Sequence, residues 1–222
     1  MSDAVRADFD RLASLPAWRW DHNRHYHGYL LRHVPSPCAR ALDVGCGTGA
    51  FSRLLAGWAG QVVGLDLSLG MIQVARARAG QHPNLRFQVA DVNRWPFPRE
   101  AYDCIASIAT LHHLPLAETL ARMRDALRPG GALLILDLYQ AQGVGDRLAG
   151  LAAMPVSLLL NLLKNGRLRA PRAVRQAWAA HGLHDTYAPL SQVREVCAGL
   201  LPGAKIKRHL LWRYSLVWKR GV

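Results

Sequence analysis

Cysteine is scarce in this chain. The four present, Cys38, Cys46, Cys104 and Cys197, show neither close pairing nor metal-type spacing, which argues against a disulfide scaffold and a cysteine-bound zinc. The first residues, Met1-Ser2-Asp3-Ala4, lack the basic-then-apolar character of a signal peptide, so a reducing cytoplasm is the expected location. Leu148 to Leu163 is a run of 16 residues without formal charge. That is short of the roughly 20 needed to cross a bilayer, and Pro155 and Asn161 interrupt it. No internal repeat or low-complexity linker divides the sequence. Aromatic residues are few, yet half of the 222 residues are hydrophobic, enough for one domain with a sizeable core. Acidic residues are also few, and unevenly so. Residues 1 to 139 carry 15 basic and 12 acidic side chains, a net +3, whereas residues 140 to 222 carry 13 and 3, a net +10. Such a basic third attracts nucleic acid, acidic lipid headgroups or an anionic substrate, or is a solvated face.

What the chain does have is a glycine run, Gly45-Cys46-Gly47-Thr48-Gly49, and three acids at the ends of three successive predicted strands, Asp43, Asp66 and Asp91. Ala41-Leu42-Asp43-Val44 is a short apolar strand entering the glycines, and Phe51, Leu54, Leu55 and Trp58 then recur at helical spacing. The order strand, tight loop, helix puts the loop at a strand's carboxyl end. There, glycine permits positive φ and lets a ligand lie against bare backbone. The loop alone also fits a dinucleotide fingerprint. Val62-Val63-Gly64-Leu65 delivers Asp66, whose carboxylate is suited to accept hydrogen bonds from both hydroxyls of a ribose. Ser68 offers an N-cap for the next helix, Leu69 to Ala79. Leu85 to Val89 is a third strand, and Asp91 after it is suited to an exocyclic amine such as that of adenine.

With Leu42-Asp43-Val44-Gly45-Cys46-Gly47-Thr48-Gly49, Gly64-Leu65-Asp66-Leu67-Ser68-Leu69-Gly70-Met71, Ala90-Asp91-Val92 and Leu127-Arg128-Pro129-Gly130-Gly131 in this order, the chain resembles the class I S-adenosylmethionine-dependent methyltransferases. The resemblance spans residues 38 to 139 and is strongest to the branch of the ubiquinone and menaquinone (type 11) methyltransferases. It implies an enzyme that uses S-adenosyl-L-methionine and releases S-adenosyl-L-homocysteine, with no metal. The backbone of Gly45, Gly47 and Gly49 would hold the methionine portion, with Asp43 near its ammonium group and Asp66 on the ribose. Leu67 and Met71 would pack on the adenine faces, Asp91 and the Val92 amide would read the adenine edge, and Ser107 and Ile108 would line the methionine end.

The expected fold is α/β, a Rossmann-like, doubly wound, mostly parallel seven-stranded sheet ending in an antiparallel hairpin. N-terminal helices precede it and a helical lid is inserted after strand five. A single domain, 1–222, divides into an N-terminal cap (1–37), a cofactor-binding core (38–139), a lid insert (140–190), and a last helix with the hairpin (191–222). In the cap, helices are expected around Val5 to Leu15 and Asp21 to His33. The lid is expected as one kinked or two short helices closed by Gly166, followed by a helix from Pro171 to Ala180. Ser191 caps the last helix, and Lys205 to Leu211 with Tyr214 to Lys219 form the hairpin.

The ten histidines cluster. His22, His25 and His27 surround Tyr26, His112 and His113 follow the fourth strand, and His184 adjoins Asp185. In the resembled fold these segments surround the transferred methyl, so His25, His113 and His184 are candidate general bases, with Tyr26, His112 and Tyr214 as substrate contacts. A zinc site at His22, His25 and His27 is set aside, because on one helix these positions do not converge. Leu158 to Leu163, Trp178 and Trp212 either line an apolar acceptor pocket or fill the core. The leading reading is methyl transfer to a small, partly hydrophobic molecule, with peripheral membrane contact open. Two others keep the fold: a nucleic-acid methyltransferase, against which Cys104 to Ala109 has no Asp-Pro-Pro-Tyr-like run, and a non-catalytic S-adenosylmethionine-binding protein.

Overall fold

The computed structural model describes residues 3–16, 19–183 and 185–221. Seven strands form one sheet: β1 (Arg40–Val44), β2 (Gln61–Asp66), β3 (Leu85–Val89), β4 (Tyr102–Ile108), β5 (Leu127–Asp137), β6 (Lys205–His209) and β7 (Arg213–Lys219). Their order is β3-β2-β1-β4-β5-β7-β6. β1 to β5 pair in parallel, and β7 runs antiparallel between β5 and β6. This is the expected seven-stranded α/β sheet with its terminal hairpin. The chain order reverses between β1 and β4, and the crevice at the carboxyl ends of strands at such a reversal is where ligands bind in open α/β sheets.

Burial explains why the central strands read as apolar runs. In β5, Leu133 and Ile135 face one layer of helices and Leu134 and Leu136 the other, all 0% exposed, because successive side chains of a strand alternate and both faces are covered. One layer packs α3 (His27–Leu31), α4 (Ala50–Leu55) and α5 (Leu69–Ala77) through Leu30, Leu55 and Ile72. The other packs α6 (Leu116–Ala126) and α9 (Leu190–Leu200) through Leu120, Met123 and Val193. Truncating one such leucine to alanine removes about 2–5 kcal/mol.

Several boundaries differ from the sequence expectation. The helix expected from Asp21 to His33 is two short pieces, α2 (His22–His25) and α3, separated at Tyr26, whose φ of −100° and ψ of 1° leave the helical region. Asp21 caps α2 by accepting from the amides of Asn23 and Arg24, both at 2.9 Å. The lid begins as one helix, α7 (Gly143–Asn165), of 23 residues. Pro155 lies on its exposed side, and Gly166 ends it in the left-handed conformation. α8 (Arg172–His181) follows, while α9 starts at Leu190 with Pro189 as its cap, so Ser191 lies inside the helix. At the front, α1 (Asp3–Ala13) lies against α5 and α8.

Candidate active site

Gly45, Gly47 and Gly49 adopt φ of 71°, 52° and 71°, a conformation that carries a steric penalty for residues with a Cβ. Space reinforces the requirement at two of them. A Cβ on Gly45 would overlap Thr110 and one on Gly49 would overlap Phe87, whereas nothing lies within 4 Å of a Cβ on Gly47. The loop turns sharply through Gly49 N to Cys46 O at 2.9 Å and is anchored to β2 through Cys46 N to Leu65 O at 2.8 Å.

The acids at the strand ends hold this loop. Asp66 accepts from Gly47 N through one oxygen at 2.8 Å and from Ser68 N through the other at 2.9 Å. Asp43 accepts from the Ser52 hydroxyl at 2.5 Å. Both are buried, at 1% exposure for Asp43 and 9% for Asp66. Burial, opposed by these hydrogen bonds, raises Asp43 to about 7 and Asp66 to about 6. Two nearby carboxyls that resist ionisation form a site that favours an incoming cation.

A cavity of about 220 Å³ opens above the loop and is lined by Asp43, Gly45, Gly47, Asp66, Leu67 and Met71, and further by Val92 and Ile108. Gly49 packs behind it against Phe87. Asp91 and Ser107 are not in the wall. The Asp91 carboxylate accepts from Asn93 N at 3.0 Å, shaping the turn that presents Val92, and the Ser107 hydroxyl donates to Val44 O at 2.9 Å, tying β4 to β1. Sequence reasoning missed Asp10. From α1 it accepts from the Ser68 hydroxyl at 2.5 Å and from Gly70 N at 2.9 Å, which brings the neighbouring Phe9 over the cavity.

A second cavity of about 630 Å³ adjoins the first and is roofed by α1, α7 and α8. The two share Phe9, Thr48, Met71, Ala109, His113 and Trp178, together with Asp21, Asn23 and Arg24 around α2. His112, His113, His181 and Asp185 cluster in the wall of the larger one, with side chains only 3–5% exposed. His112 Nδ1 lies 2.6 Å from Asp137 Oδ1, and its amide donates to Asp137 Oδ2 at 3.0 Å. His113 Nδ1 and His181 Nε2 lie 3.6 Å and 3.5 Å from Asp185 Oδ1, and His181 Nδ1 lies 3.3 Å from Asp8. Tyr187 donates to the other Asp185 oxygen at 2.8 Å. Two buried atoms have no hydrogen-bond partner here, His113 Nε2 and Asp185 Oδ1. Burial, assisted by His112, lowers His113 to about 4, leaving the imidazole neutral at physiological pH. Ligand atoms of His112, His113 and Asp185 lie within 4.8 Å of one another, close enough to converge on a metal ion.

Arg213 enters the same cavity from the start of β7. Its Nε donates to Asn23 Oδ1 at 2.6 Å and a terminal nitrogen to Trp212 O at 3.2 Å. Asp137 and Asp21 act on it from a distance, and among the described residues no carboxylate pairs with it directly. Sequence reasoning also missed this residue, because its place depends on the long-range pairing of β7 with β5.

The other candidates fall elsewhere. His25 is exposed, edge-on to Trp20 and Tyr26, and lines neither cavity. The break after α2 turns His22 toward the larger cavity and His27 toward the smaller instead. Tyr26 is buried, its hydroxyl accepts from Leu211 N at 3.1 Å, and it lines neither cavity. Tyr214 lines a separate cavity of about 300 Å³ beneath His112. His184 lies outside the described residues. Of the lid's apolar candidates, Leu158 and Trp178 line the larger cavity, and Trp212 packs on the core.

Residues 41–131 match the family described as "Methyltransferase domain". An uncharacterized methyltransferase of Mycobacterium tuberculosis is 28% identical over 207 residues, covering 91% of this chain and 98% of the relative. Trans-aconitate 2-methyltransferase of Variovorax paradoxus is 41% identical over 110 residues, 48% of this chain and 41% of that protein. Among solved structures, the N-methyltransferase NodS of Bradyrhizobium japonicum, in complex with S-adenosyl-L-homocysteine, superposes with a TM-score of 0.66 at 17% identity over 98% of this chain and 99% of that one. The chain belongs to the class I S-adenosylmethionine-dependent methyltransferases, and the glycine turn held between Asp43 and Asp66 lies within the matched stretch.

Proposed function

We propose that the enzyme methylates a small, acidic, partly apolar molecule seated in the 630 Å³ cavity, with His113 accepting the acceptor's proton. The carrying observation is that His113 is the one histidine, among the described residues, common to the cofactor-side and acceptor-side cavities. S-adenosylmethionine supplies an already activated methyl on a sulfonium, so the protein contributes position, desolvation and a base.

The smaller cavity fits that molecule chemically. Asp43 faces its ammonium, Asp66 its ribose hydroxyls, Leu67 and Met71 its adenine ring, and the Val92 amide the ring's edge. Asp91, Gly49 and Ser107 act one layer back, fixing the turn and the strand pairing. In the larger cavity Arg213, enclosed and lacking a paired carboxylate, holds an anionic group of the acceptor, as a guanidinium does well through its planar donors. Phe9, Leu158 and Trp178 cover the acceptor's apolar part. Asp185 Oδ1 draws closer to His113 Nδ1–H when the site fills, leaving Nε2 unprotonated and directed at the acceptor. Catalytic hydrogen bonds are often long before ligands bind. The acceptor's lone pair forms the new bond to carbon, the carbon–sulfur bond breaks, and His113 Nε2 takes the proton.

His113→Gln and Asp185→Asn test this with hydroxyl- and amine-bearing aromatic and aliphatic carboxylic acids as acceptors, the carboxylate for Arg213 and the protonated hydroxyl or amine for methylation, and S-adenosylhomocysteine release as the readout. The expected result is a fall in kcat of about 10²–10⁴-fold for His113→Gln, with affinity for S-adenosylhomocysteine nearly unchanged. Normal turnover in His113→Gln refutes the base assignment. A second reading rests on the same cluster. His112 Nε2, His113 Nδ1 and the orphaned Asp185 Oδ1 bind a divalent cation, with Asp137 steadying His112 from behind, and His113 is then a ligand. Activity that vanishes with a chelator and returns with Zn²⁺ or Mn²⁺ replaces the base reading with this one.

A further inference from the structure

We propose that the outer face of α7, with the segment that follows it through α8, docks on an anionic lipid surface and holds the mouth of the larger cavity against it. Three independent features carry this. Ten of the 15 large hydrophobic residues exposed in the described structure fall between Val144 and Leu183. On α7 they are ordered, since Val144, Leu148, Leu151, Leu159 and Leu162 are 45–72% exposed and, with Pro155, recur at intervals of three or four residues, which is one continuous helical face.

The second feature is charge. From Ala141 to Leu183 the chain has six basic side chains, Arg147, Lys164, Arg167, Arg169, Arg172 and Arg175, and one acid, Asp146. All six are exposed, and Asp146 is already paired with Arg208. No ion pair is formed by the six among the described residues. An apolar stripe bordered by unneutralised cations matches an anionic headgroup layer over an acyl interior.

The third feature is how the helix is fastened. At 23 residues α7 is long and apolar enough to cross a bilayer, yet its inner side is tied to the protein body. Ser157 bonds His22 at 2.8 Å, and Asn165 both accepts from Trp20 N at 2.9 Å and donates to Trp20 O at 3.0 Å. Ala153 is fully buried, and Val156 and Leu160 pack on the core. A helix held along one side and apolar on the other lies in the membrane plane rather than through it. Leu158, Leu168, Arg169, Arg175 and Trp178 also line the larger cavity, so the lipid-facing elements are its walls. Docking is independent of which acceptor is methylated, because it is read without turnover.

The test is flotation of the full chain with vesicles of pure phosphatidylcholine and of phosphatidylcholine with 30 mol% phosphatidylglycerol, at low salt and at 0.5 M NaCl. Binding to the anionic vesicles alone, weakened by salt, is the expected result. Arg147→Gln with Arg167→Gln should lower partitioning roughly 25-fold, about fivefold per cation, and Leu148→Asp with Leu159→Asp should abolish it. S-adenosylhomocysteine affinity serves as the check that each variant is folded. Failure of the wild type to float with anionic vesicles overturns the proposal, as does equal binding to both vesicle types. A concentration-dependent dimer that dissociates in the Leu148→Asp, Leu159→Asp variant also overturns it, by assigning the face to a second copy of the chain.

Discussion

Binding of S-adenosylhomocysteine should depend steeply on pH, and the dependence should belong to Asp43. In the ligand-free protein burial raises this carboxyl to about 7, and an ammonium placed beside it favours the ionised form. The group must therefore lose its proton for full binding, so affinity is complete above pH 7 and is lost as pH falls through it. At pH 8 about nine-tenths of Asp43 is ionised and at pH 6 about one-tenth, a roughly tenfold loss of affinity over two pH units. Asp66, raised to about 6, adds about a further twofold at pH 6. Calorimetry in pairs of buffers with different ionisation enthalpies measures the same event as proton release, expected at roughly half a proton per ligand from Asp43 at pH 7. Asp43→Asn removes this step and weakens binding at pH 8 by about 10- to 100-fold, the range for a lost charge-assisted hydrogen bond. Affinity that stays flat from pH 6 to 8 in the wild type, or an unchanged slope in Asp43→Asn, refutes the placement of the ammonium beside Asp43.

The same carboxyl opposes folding. Its folded-state pKa lies above the ordinary value of 3.8, so stability falls as pH rises from 3.8 toward 7. The gain in Tm of ligand-free Asp43→Asn over wild type should therefore grow from pH 4 to pH 7 and level off above. Gly47→Ala and Gly49→Ala should separate binding from folding. With nothing within 4 Å of the added Cβ, Gly47→Ala pays only for its backbone conformation, about 1–2 kcal/mol, yet should lose S-adenosylhomocysteine binding in calorimetry. Gly49→Ala, which must also displace Phe87, should unfold at a clearly lower temperature. For the chemical step, kcat/KM for the acceptor at saturating S-adenosylmethionine, which reports the enzyme before the acceptor fills the site, should rise through about pH 4 and stay flat above about 5, following the lowered value of His113. A single step near the ordinary value of 6.5 would assign the base elsewhere.

The cofactor half of the molecule was legible in the sequence because its geometry is local. Asp43, the glycines and Asp66 lie within 24 residues, and the φ values the turn demands are met by glycine at each of its three left-handed positions. The acceptor half was less legible because it is assembled from afar. His113 reaches Asp185 and His181 only after α7 and α8 fold back over the strand ends, and Arg213 reaches Asn23 across 190 residues. His25 was a candidate because the resemblance placed its whole segment near the methyl, and a segment does not say which side chain faces inward: the chain breaks at Tyr26, and His22 and His27 line the cavities instead. The run from Leu148 to Leu163 was too short to span a membrane by its charge-free length, and counting charges alone hid that the helix continues to Gly143 and Asn165 through a few polar residues.

Both halves of the site meet on α1. Asp10 binds Ser68 and Gly70 beside Asp66, the proposed ribose contact, and Asp8, two residues earlier, faces His181 of the proposed acceptor cluster. Phe9 between them lines both cavities and packs on His113 and His181 at ring separations of 5.7 Å and 4.7 Å. Because Asp8, Phe9 and Asp10 lie on one short helix, a shift of α1 that loosens Ser68 also moves the aromatic contact that sets the His113 ring. Order on the cofactor side is thereby coupled, through three consecutive residues, to the orientation of the proposed base.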